Sequence, residues 1–527
     1  MDRDRQYPQT EATGPKLVAV IDIGASSLRM QIAEISDNGA VRNLESFSQA
    51  LSIGKDSFSK GSISKSTIEN CVHVLSIYRA KLDEYSITHP ANIRVIATSG
   101  VNEASNRLAF LDRIYVATGF EIGPFDEAEL HRITFLGLRQ LMKSDPDFFK
   151  GETLAVEIGG GSTETLWLSN TNVTLSRVWR LGALRMRQKL ERYDAPLVKS
   201  RDLMERQVRD TIEQIKDSTD GNPDRIIAMG GDIRFAARKI LEGDINKPLV
   251  ELKLKSVEKF LDTVLESSPE RLSTEHHMSI PDAQLLGPGL LAICTFARAF
   301  GVDKLIAANV NLRDGLISEM AKGSGWSYSV REQIIRSVLQ LGRKYNFNEP
   351  YSVHVSMLAC QLFDQLEVLH GLSEHYRDLL QISAILHQIG TFINTRASHK
   401  HSMYLINHSE FFGVSREDRQ LVALLTRYHR RAAPSSRHVG YSSLSRDKRV
   451  AISKLASILR VAIALNVSHG QRIKKVTCKL LSNELRIVTS DVSDLTLERM
   501  ELRQAGQLFE DIFGKPVTIT GTSNSAE

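Results

Sequence analysis

The stretch Val156-Glu-Ile-Gly-Gly-Gly-Ser-Thr-Glu-Thr165 decides the reading of this chain. An apolar, strand-like run, LAVEI, empties into three glycines and then into Ser162 and Thr163. A strand that ends this way aims successive backbone N–H groups into one small space. With no Cβ in the way, those donors can wrap a phosphate oxygen. Ser162 and Thr163 add hydroxyl donors, and an acid beside the loop, Glu157, suits Mg²⁺, which neutralises phosphate charge. Alone, such a glycine run is weak, because many are only tight turns.

The same grammar occurs earlier, in VAVIDIGASSLRMQIAEI: apolar strand, small-residue loop, second strand, turn. Asp22 stands where Glu157 stands, Gly24 matches Gly159, and Ser26 and Ser27 follow. A duplicated unit with two such loops facing each other makes a cleft that clamps a phosphate chain; the alternative is two unrelated turns. A third glycine turn, Gly230-Gly231, follows the strand-like IIAM. Between these motifs, residues 64–85 have helical periodicity and IRVIATSG reads as a buried strand. Asn102 to Arg113 is expected to be the helix after it. Phe125 to Leu141 is expected to be another, with Asp126 as N-cap. The run LLGPGLLAICTFARAFGV, interrupted by Pro288 and Arg298, reads as a buried core helix and not a membrane span. From about residue 325 the pattern turns helical and rich in histidine, and residues 474–490 look like two short strands joined at SNEL.

With 527 residues, the chain is long enough for three or four domains. Its 42% hydrophobic and 24% charged residues are ordinary for a globular protein. The net charge of +5 fits a polyanionic substrate as well as it fits background. Four scattered cysteines without a CxxC support neither a zinc site nor a disulfide framework, so a cytoplasmic location is expected. The polar start MDRDRQYPQTEATGPK has no apolar core of a signal peptide and reads as a disordered leader over residues 1–16. Neither nucleic acid nor membrane is expected as a partner.

On these segments, together with IRVIATSGVNEASNR, DEAELHRITFLGL, WRLGALRMR, NLRDGL, AILHQIG, HKHSMYLI and LLTRYHRR, the chain resembles the Ppx/GppA family of the actin, sugar kinase and heat-shock chaperone superfamily. Members are exopolyphosphatases and guanosine pentaphosphate phosphohydrolases. The resemblance runs in order over residues 17 to 515. It implies an α/β fold of two actin-like (ribonuclease H-like) ATPase-type domains at 17–140 and 141–322. An α-helical HD-like domain at 323–470 and a small α+β C-terminal domain at 471–520 would follow. It also implies a homodimer, Mg²⁺ as cofactor with Asp22 and Glu157 as its ligands, and phosphate contacts from Gly24, Ser26, Ser27, Gly159, Gly160, Gly161, Ser162, Thr163, Gly230 and Gly231. Glu164 fits the family pattern as well.

Several positions depart from that pattern. The family has aspartate where Glu157 stands, and a phosphate-gripping arginine where Asn102 stands; an amide cannot make the bidentate charged contact. The family's Glu-Glu pair, whose second acid works on the attacking water, meets Asp126-Glu127-Ala128-Glu129-Leu130 here. Aligned on Arg132, the second acid falls on Leu130, leaving Glu129 and Glu127 as candidate catalytic residues. Both also suit the start of a solvated helix. In the histidine-rich part, the candidate metal set is His354, His387, His401 and His429, but the His-Asp dipeptide is His387-Gln388. That argues for a structural or substrate-channel role, with Lys400, Arg427, Arg430 and Arg431 lining a basic path or forming a solvated face.

Two functions of different class follow. One is a Mg²⁺-dependent phosphohydrolase releasing terminal phosphate from inorganic polyphosphate, guanosine pentaphosphate, or both. The other is a catalytically weakened relative that binds polyphosphate or guanosine tetra- and pentaphosphate as a sensor. An ATP-dependent sugar kinase or actin-like ATPase fits the segments ATSGVNEASNR and WRLGALRMR less well.

Overall fold

The alternation of small and branched residues in KLVAVIDI makes it β1 (Lys16–Ile23), buried on both faces over its last six residues. In the computed structural model, which describes residues 14–521 apart from 124, 193–196, 220, 243–246, 323–325, 491 and 493, β1 opens a four-stranded sheet. Most of the expected leader, residues 1–13, lies outside the described residues. The other strands are β2 (Ser27–Ile35), β3 (Val41–Ala50) and β4 (Ile93–Ala97), in the order β3-β2-β1-β4.

The second sheet contains β5 (Glu152–Ile158), β6 (Thr163–Ser169), β7 (Asn172–Trp179), β8 (Arg225–Met229), β9 (Leu249–Lys253) and β10 (Lys304–Ala308), ordered β7-β6-β5-β8-β10-β9. Its first four strands repeat the first sheet. β5 is antiparallel to β6 and parallel to β8, as β1 is to β2 and β4. Even the irregularity repeats: the register shifts between Ile32 and Ala33 and between Trp167 and Leu168, at the same offset from each loop. The duplication read from the sequence therefore extends to the hydrogen-bond register.

The two sheets belong to one compact unit, residues 1–324; residues 325–527 form a second. Each lobe of the first unit has its own apolar core, one around Ile21, Met30, Leu75 and Phe110, the other around Val156, Val208, Ile226, Leu261 and Phe296. The helix Ile280–Ala299, long and apolar enough to cross a membrane, is packed into the second core. No linker separates the lobes at residue 140, because helix Glu127–Ser144 runs through that position. It crosses helix Leu312–Met320 where two glycines bring backbones together. A Cβ at Gly315 would lie 2.3 Å from the Ile133 carbonyl oxygen, and one at Gly137 would lie 2.9 Å from Val310 Cγ2.

Helix Glu127–Ser144 starts on a capping box: the Asp126 carboxylate accepts the Glu129 N–H at 3.0 Å, and Glu129 accepts the Asp126 N–H at 3.3 Å. The expected helix Asn102–Arg113 is instead a short turn, Ser99–Asn102, and a separate helix, Arg107–Thr118. Asn106 breaks the run because its amide bonds both backbone groups of Ile63, at 2.8 and 2.9 Å.

The second unit begins with helices Tyr328–Lys344, Glu349–Gln365, Glu374–Leu386, Ser398–Asn407, Arg416–Arg427 and Arg446–Ala464. A sheet β11-β12-β13 follows, made of Thr477–Leu480, Leu485–Thr489 and Val517–Gly521, with two helices between the last two strands. The turn at SNEL closes through Leu481 N–H to Glu484 O at 2.9 Å.

Two stability predictions follow from the interlobe helices. Gly315→Ala forces a methyl into the Ile133 carbonyl and should cost about 1–3 kcal/mol. Gly231→Ala, which meets open space, should change the melting temperature little. Burial, then the Asp126 charge, pushes the Glu129 carboxyl up to about 7. The unfolded chain ionises it near 4.5 while the folded chain keeps its proton, so stability should fall as pH rises from about 4.5 to 7. Glu129→Gln keeps the cap acceptor and should flatten that slope, by on the order of 3 kcal/mol at neutral pH. Denaturant melts across this pH range measure it.

Candidate functional site

Both hairpin loops close in the same way. Gly24 N–H donates to Ser27 O at 3.0 Å, and Gly159 N–H donates to Ser162 O at 2.8 Å. The remaining carbonyls are tied behind the loops. Ala25 O and Ser26 O accept from Gly54 and Leu51 N–H at 2.7 and 2.9 Å. Gly159 O and Gly160 O accept from the N–H groups of Ala183 and Leu184, both at 2.9 Å. These last donors are the otherwise unpaired N–H groups that open helix Ala183–Arg192. The helix end can approach only because residue 182 is glycine: a Cβ there would lie 2.4 Å from Gly160 O. With the carbonyls spent on that side, the N–H groups of Gly160, Gly161 and Ser162 keep no acceptor among the described residues.

The loops meet. A Cβ at Gly160 would lie 3.4 Å from Ser26 Oγ and 3.5 Å from Ala25 Cβ; one at Gly161 would lie 2.4 Å from Ser99 Oγ and 2.5 Å from Phe58 Cζ. Arg185 holds this arrangement. Its Nε–H donates to Gly161 O at 2.9 Å, its Nη2 to Glu103 Oε1 at 2.7 Å, and its guanidinium lies 3.8 Å from the Phe58 ring centroid. Two residues assigned to phosphate contact turn inward instead. Thr163 is 0% exposed and its hydroxyl donates to Leu181 O at 2.6 Å; Ser27 is buried as well. The period of two along a strand sends the residue after the loop into the core.

Charges gather beneath the loops. Asp22 is the penultimate residue of β1 and is 7% exposed. Arg313 Nη1 donates to its Oδ2 at 3.4 Å, while Oδ1 is buried without a hydrogen bond. Arg29 stands opposite Asp22 in the ladder, as Glu164 stands opposite Glu157. Burial raises the Glu157 carboxyl; Arg234 opposes that and Asp22 adds to it. Burial and the Glu157 charge hold Glu164 well above the carboxylate range, against a hydrogen bond from Thr134 Oγ1 at 2.9 Å. Burial lowers Arg234 and Arg313, and the facing acids, Glu157 and Asp22, pull each back up. Gly230 sits beside Glu157 at φ +111°, a conformation that only glycine adopts without strain, and Gly231 faces open space.

Three carboxylates thus interleave with three guanidiniums. The arginines were not singled out by sequence reasoning, although each lay in view: Arg29 two residues past the first loop, Arg234 three past a glycine turn, Arg313 within NLRDGL. Among the described residues, no three histidine, cysteine, aspartate or glutamate side chains are arranged to hold a metal ion. Mg²⁺ does not require a protein-only cage, since it keeps several waters and takes one or two carboxylates plus phosphate. The orphaned Asp22 Oδ1 beside Glu157 fits that habit.

The acids ahead of the interlobe helix separate by role. Glu129 is engaged in the capping box and lies 3.9 Å from Arg94 Nη2, while Leu130 is buried. Glu127, exposed in the first turn, is close enough to Glu164 to raise its pKa. Asn102 makes no charged grip; its Nδ2 donates to Ala97 O and Phe125 O, both at 3.1 Å, and so pins the chain just ahead of that turn. In the second unit the candidate histidines bond backbone. His354 Nε2–H donates to Ile473 O at 2.8 Å, His387 Nδ1–H to Ala384 O at 2.7 Å, and His429 Nδ1–H to Thr426 O at 2.6 Å. His401 is half-buried in helix Ser398–Asn407.

Comparison with known proteins gives the family. The model of the Ppx/GppA phosphatase family matches residues 18–323, and that of Ppx/GppA phosphatase domain III matches residues 330–507. A guanosine-5'-triphosphate,3'-diphosphate pyrophosphatase of Vibrio atlanticus is 24% identical over 497 residues, 93% of each chain. The protein of the same name from Vibrio campbellii is 24% identical over 505 residues, 94% of this chain and 96% of its own. Among solved structures, an exopolyphosphatase from Cytophaga hutchinsonii superposes with a TM-score of 0.52 at 19% identity, covering 59% of this chain and 99% of its own, a likeness of fold. From the duplicated loops, the acids beneath them and the match across both units, this chain belongs to the Ppx/GppA phosphatase family.

Proposed function

We propose that this enzyme releases the terminal phosphate of inorganic polyphosphate, guanosine pentaphosphate, or both, with Mg²⁺. The observation that carries the reading is the orphaned Asp22 carboxylate oxygen, set among Glu157, Glu164, Arg29, Arg234 and Arg313 beneath two loops with unspent N–H groups. The relatives named as guanosine-5'-triphosphate,3'-diphosphate pyrophosphatases support the substrate class.

Asp22 and Glu157 would hold the metal, whose charge offsets that of the phosphates when bound. The chain's own residues supply the rest. The N–H groups of Gly160, Gly161 and Ser162 bind phosphate oxygens, as backbone donors at a tight turn do. Arg313, Arg234 and Arg29 balance charge that grows on the oxygens as the anhydride bond breaks. Arg185 and Phe58 keep the second loop against the first, so the donors are in place before substrate arrives. Glu127 faces water and the cleft acids, and it takes the proton of the attacking water as its oxygen bonds phosphorus. Thr134 fixes the Glu164 carboxyl, which feels the charges of both Glu157 and Glu127.

Phosphate release from polyphosphate, guanosine pentaphosphate and ATP, with and without a chelator, tests the reading. The first two should be hydrolysed, ATP poorly, and chelation should stop turnover. Tight binding of all three without release would sink it. Glu127→Gln should lower kcat by about 10² to 10⁴, the usual worth of a positioned base, while Glu129→Gln should leave kcat near wild type. The opposite ranking would put the base at Glu129. Asp22→Asn should lower kcat by about 10² or more and raise the Mg²⁺ concentration needed for half-activity; an unchanged Mg²⁺ requirement would remove Asp22 from the metal's surroundings.

A further inference from the structure

The two glycine loops are copies that differ in one donor. In the first loop, Ser26 O accepts the Leu51 N–H at 2.9 Å, a bond from backbone to backbone. Gly161 holds the matching position in the second loop, two residues past Gly159 as Ser26 is past Gly24. Its carbonyl accepts no backbone N–H among the described residues; the donor is Arg185 Nε–H, at 2.9 Å. A side chain does here what a backbone segment does in the first loop.

That substitution bears on the anion donors. A trans peptide is planar, and its C=O and N–H point in opposite directions. The bond to Gly161 O therefore sets the aim of the Ser162 N–H, one of the three donors left without an acceptor. Because the guanidinium is charged, it also polarises the peptide and strengthens that N–H as a donor.

A guanidinium on a long stem needs supports of its own, and both supports of this one come from the first lobe. The Phe58 ring centroid lies 3.8 Å from it, and Glu103 Oε1 accepts its Nη2–H at 2.7 Å. The other carboxylate oxygen, Oε2, accepts from Arg180 Nη2 at 2.5 Å. Arg180 follows Trp179, the ladder partner of Thr163 at the end of the same loop. Glu103 thus ties two points of the second lobe, one on each side of the loop's support. Its own backbone is set by the turn before it: the Glu103 N–H donates to Ser99 O at 3.2 Å, and Asn102 beside it is pinned to Ala97 O and Phe125 O. Burial works against the Arg185 charge, and Glu103 offsets that. Through space alone, a carboxylate near this loop repels phosphate. Any gain in phosphate binding comes through the residues that it holds.

We propose that Glu103 is a positioning residue for the second loop: it holds Arg185 against Gly161 O from the opposite lobe, and so aims the Ser162 N–H at the phosphate. The proposal rests on the reading of that loop as the phosphate site.

Steady-state hydrolysis of polyphosphate by the full chain with Mg²⁺ tests it, on wild type, Glu103→Ala, Arg185→Ala and the double variant. Glu103→Ala should raise KM by about tenfold, the worth of a hydrogen bond to a charged group, although it removes a negative charge from the neighbourhood of an anion. Its kcat should change much less, as expected when ground-state and transition-state binding are lost together. A purely structural loss lowers the active fraction, and with it kcat, and leaves KM in place. Arg185→Ala should raise KM at least as much, and the double variant no further, since Glu103 acts through Arg185. If Arg185→Ala does not fold, Arg185→Lys, which cannot bridge Gly161 O and Glu103 with one planar group, takes its place. Glu103→Asp, which keeps the carboxylate, should recover part of the loss. An unchanged or lower KM in Glu103→Ala, or multiplicative effects in the double variant, would overturn the proposal while wild type still releases phosphate. Absence of release by wild type from both polyphosphate and guanosine pentaphosphate would overturn the reading of the site and this proposal together.

Discussion

The close crossing of two helices at Gly315 and Ile133 is the constraint on which the cleft rests. A hydrogen in place of a methyl lets the backbone of helix Leu312–Met320 lie against a carbonyl of helix Glu127–Ser144. That crossing brings the second lobe's return helix to β1, where Arg313 meets Asp22 and Asp314 accepts a hydrogen bond from Gln31 at 2.9 Å. Both lobes thus contribute to one buried cluster. Each hairpin alone would present an ordinary glycine turn; held together, they place two sets of backbone donors and the acids behind them in one space.

The electrostatics of that space are balanced and not simply positive. Asp22, Glu157 and Glu164 meet Arg29, Arg234 and Arg313 there, Asp232 and Asp314 act on the same arginines, and burial works against the charged form of each kind. Such a cluster is costly to leave dry and unliganded. In the proposed reaction, a phosphate arriving with a divalent cation would add opposite charges to it in one event. Glu127, outside the buried set, is exposed in the first turn of its helix.

In the second unit, His387 and His429 spend their Nδ1–H groups on carbonyls of the preceding turn, His354 donates to the distant Ile473 O, and Gln388 takes the place of the carboxylate that a metal-holding set would need.

The sequence by itself determined whatever depends on local backbone chemistry. Repeated strand–glycine–strand grammar specified both loops, the positions of Asp22 and Glu157 at the strand ends, the cap at Asp126 and the change to helices near residue 325. These are legible because period, glycine content and capping residues act over a few positions. Only the tertiary structure decided which polar groups are spent. Thr163 is turned into the core by the pleat of β6, Glu129 is taken by its own helix cap, and Asn102 by two carbonyls from separate segments. The charged partners of Asp22 and Glu157, Arg313 and Arg234, come from tens to hundreds of positions away. Where partners are that distant, satisfaction is a property of the closed three-dimensional structure, and no window of sequence contains it.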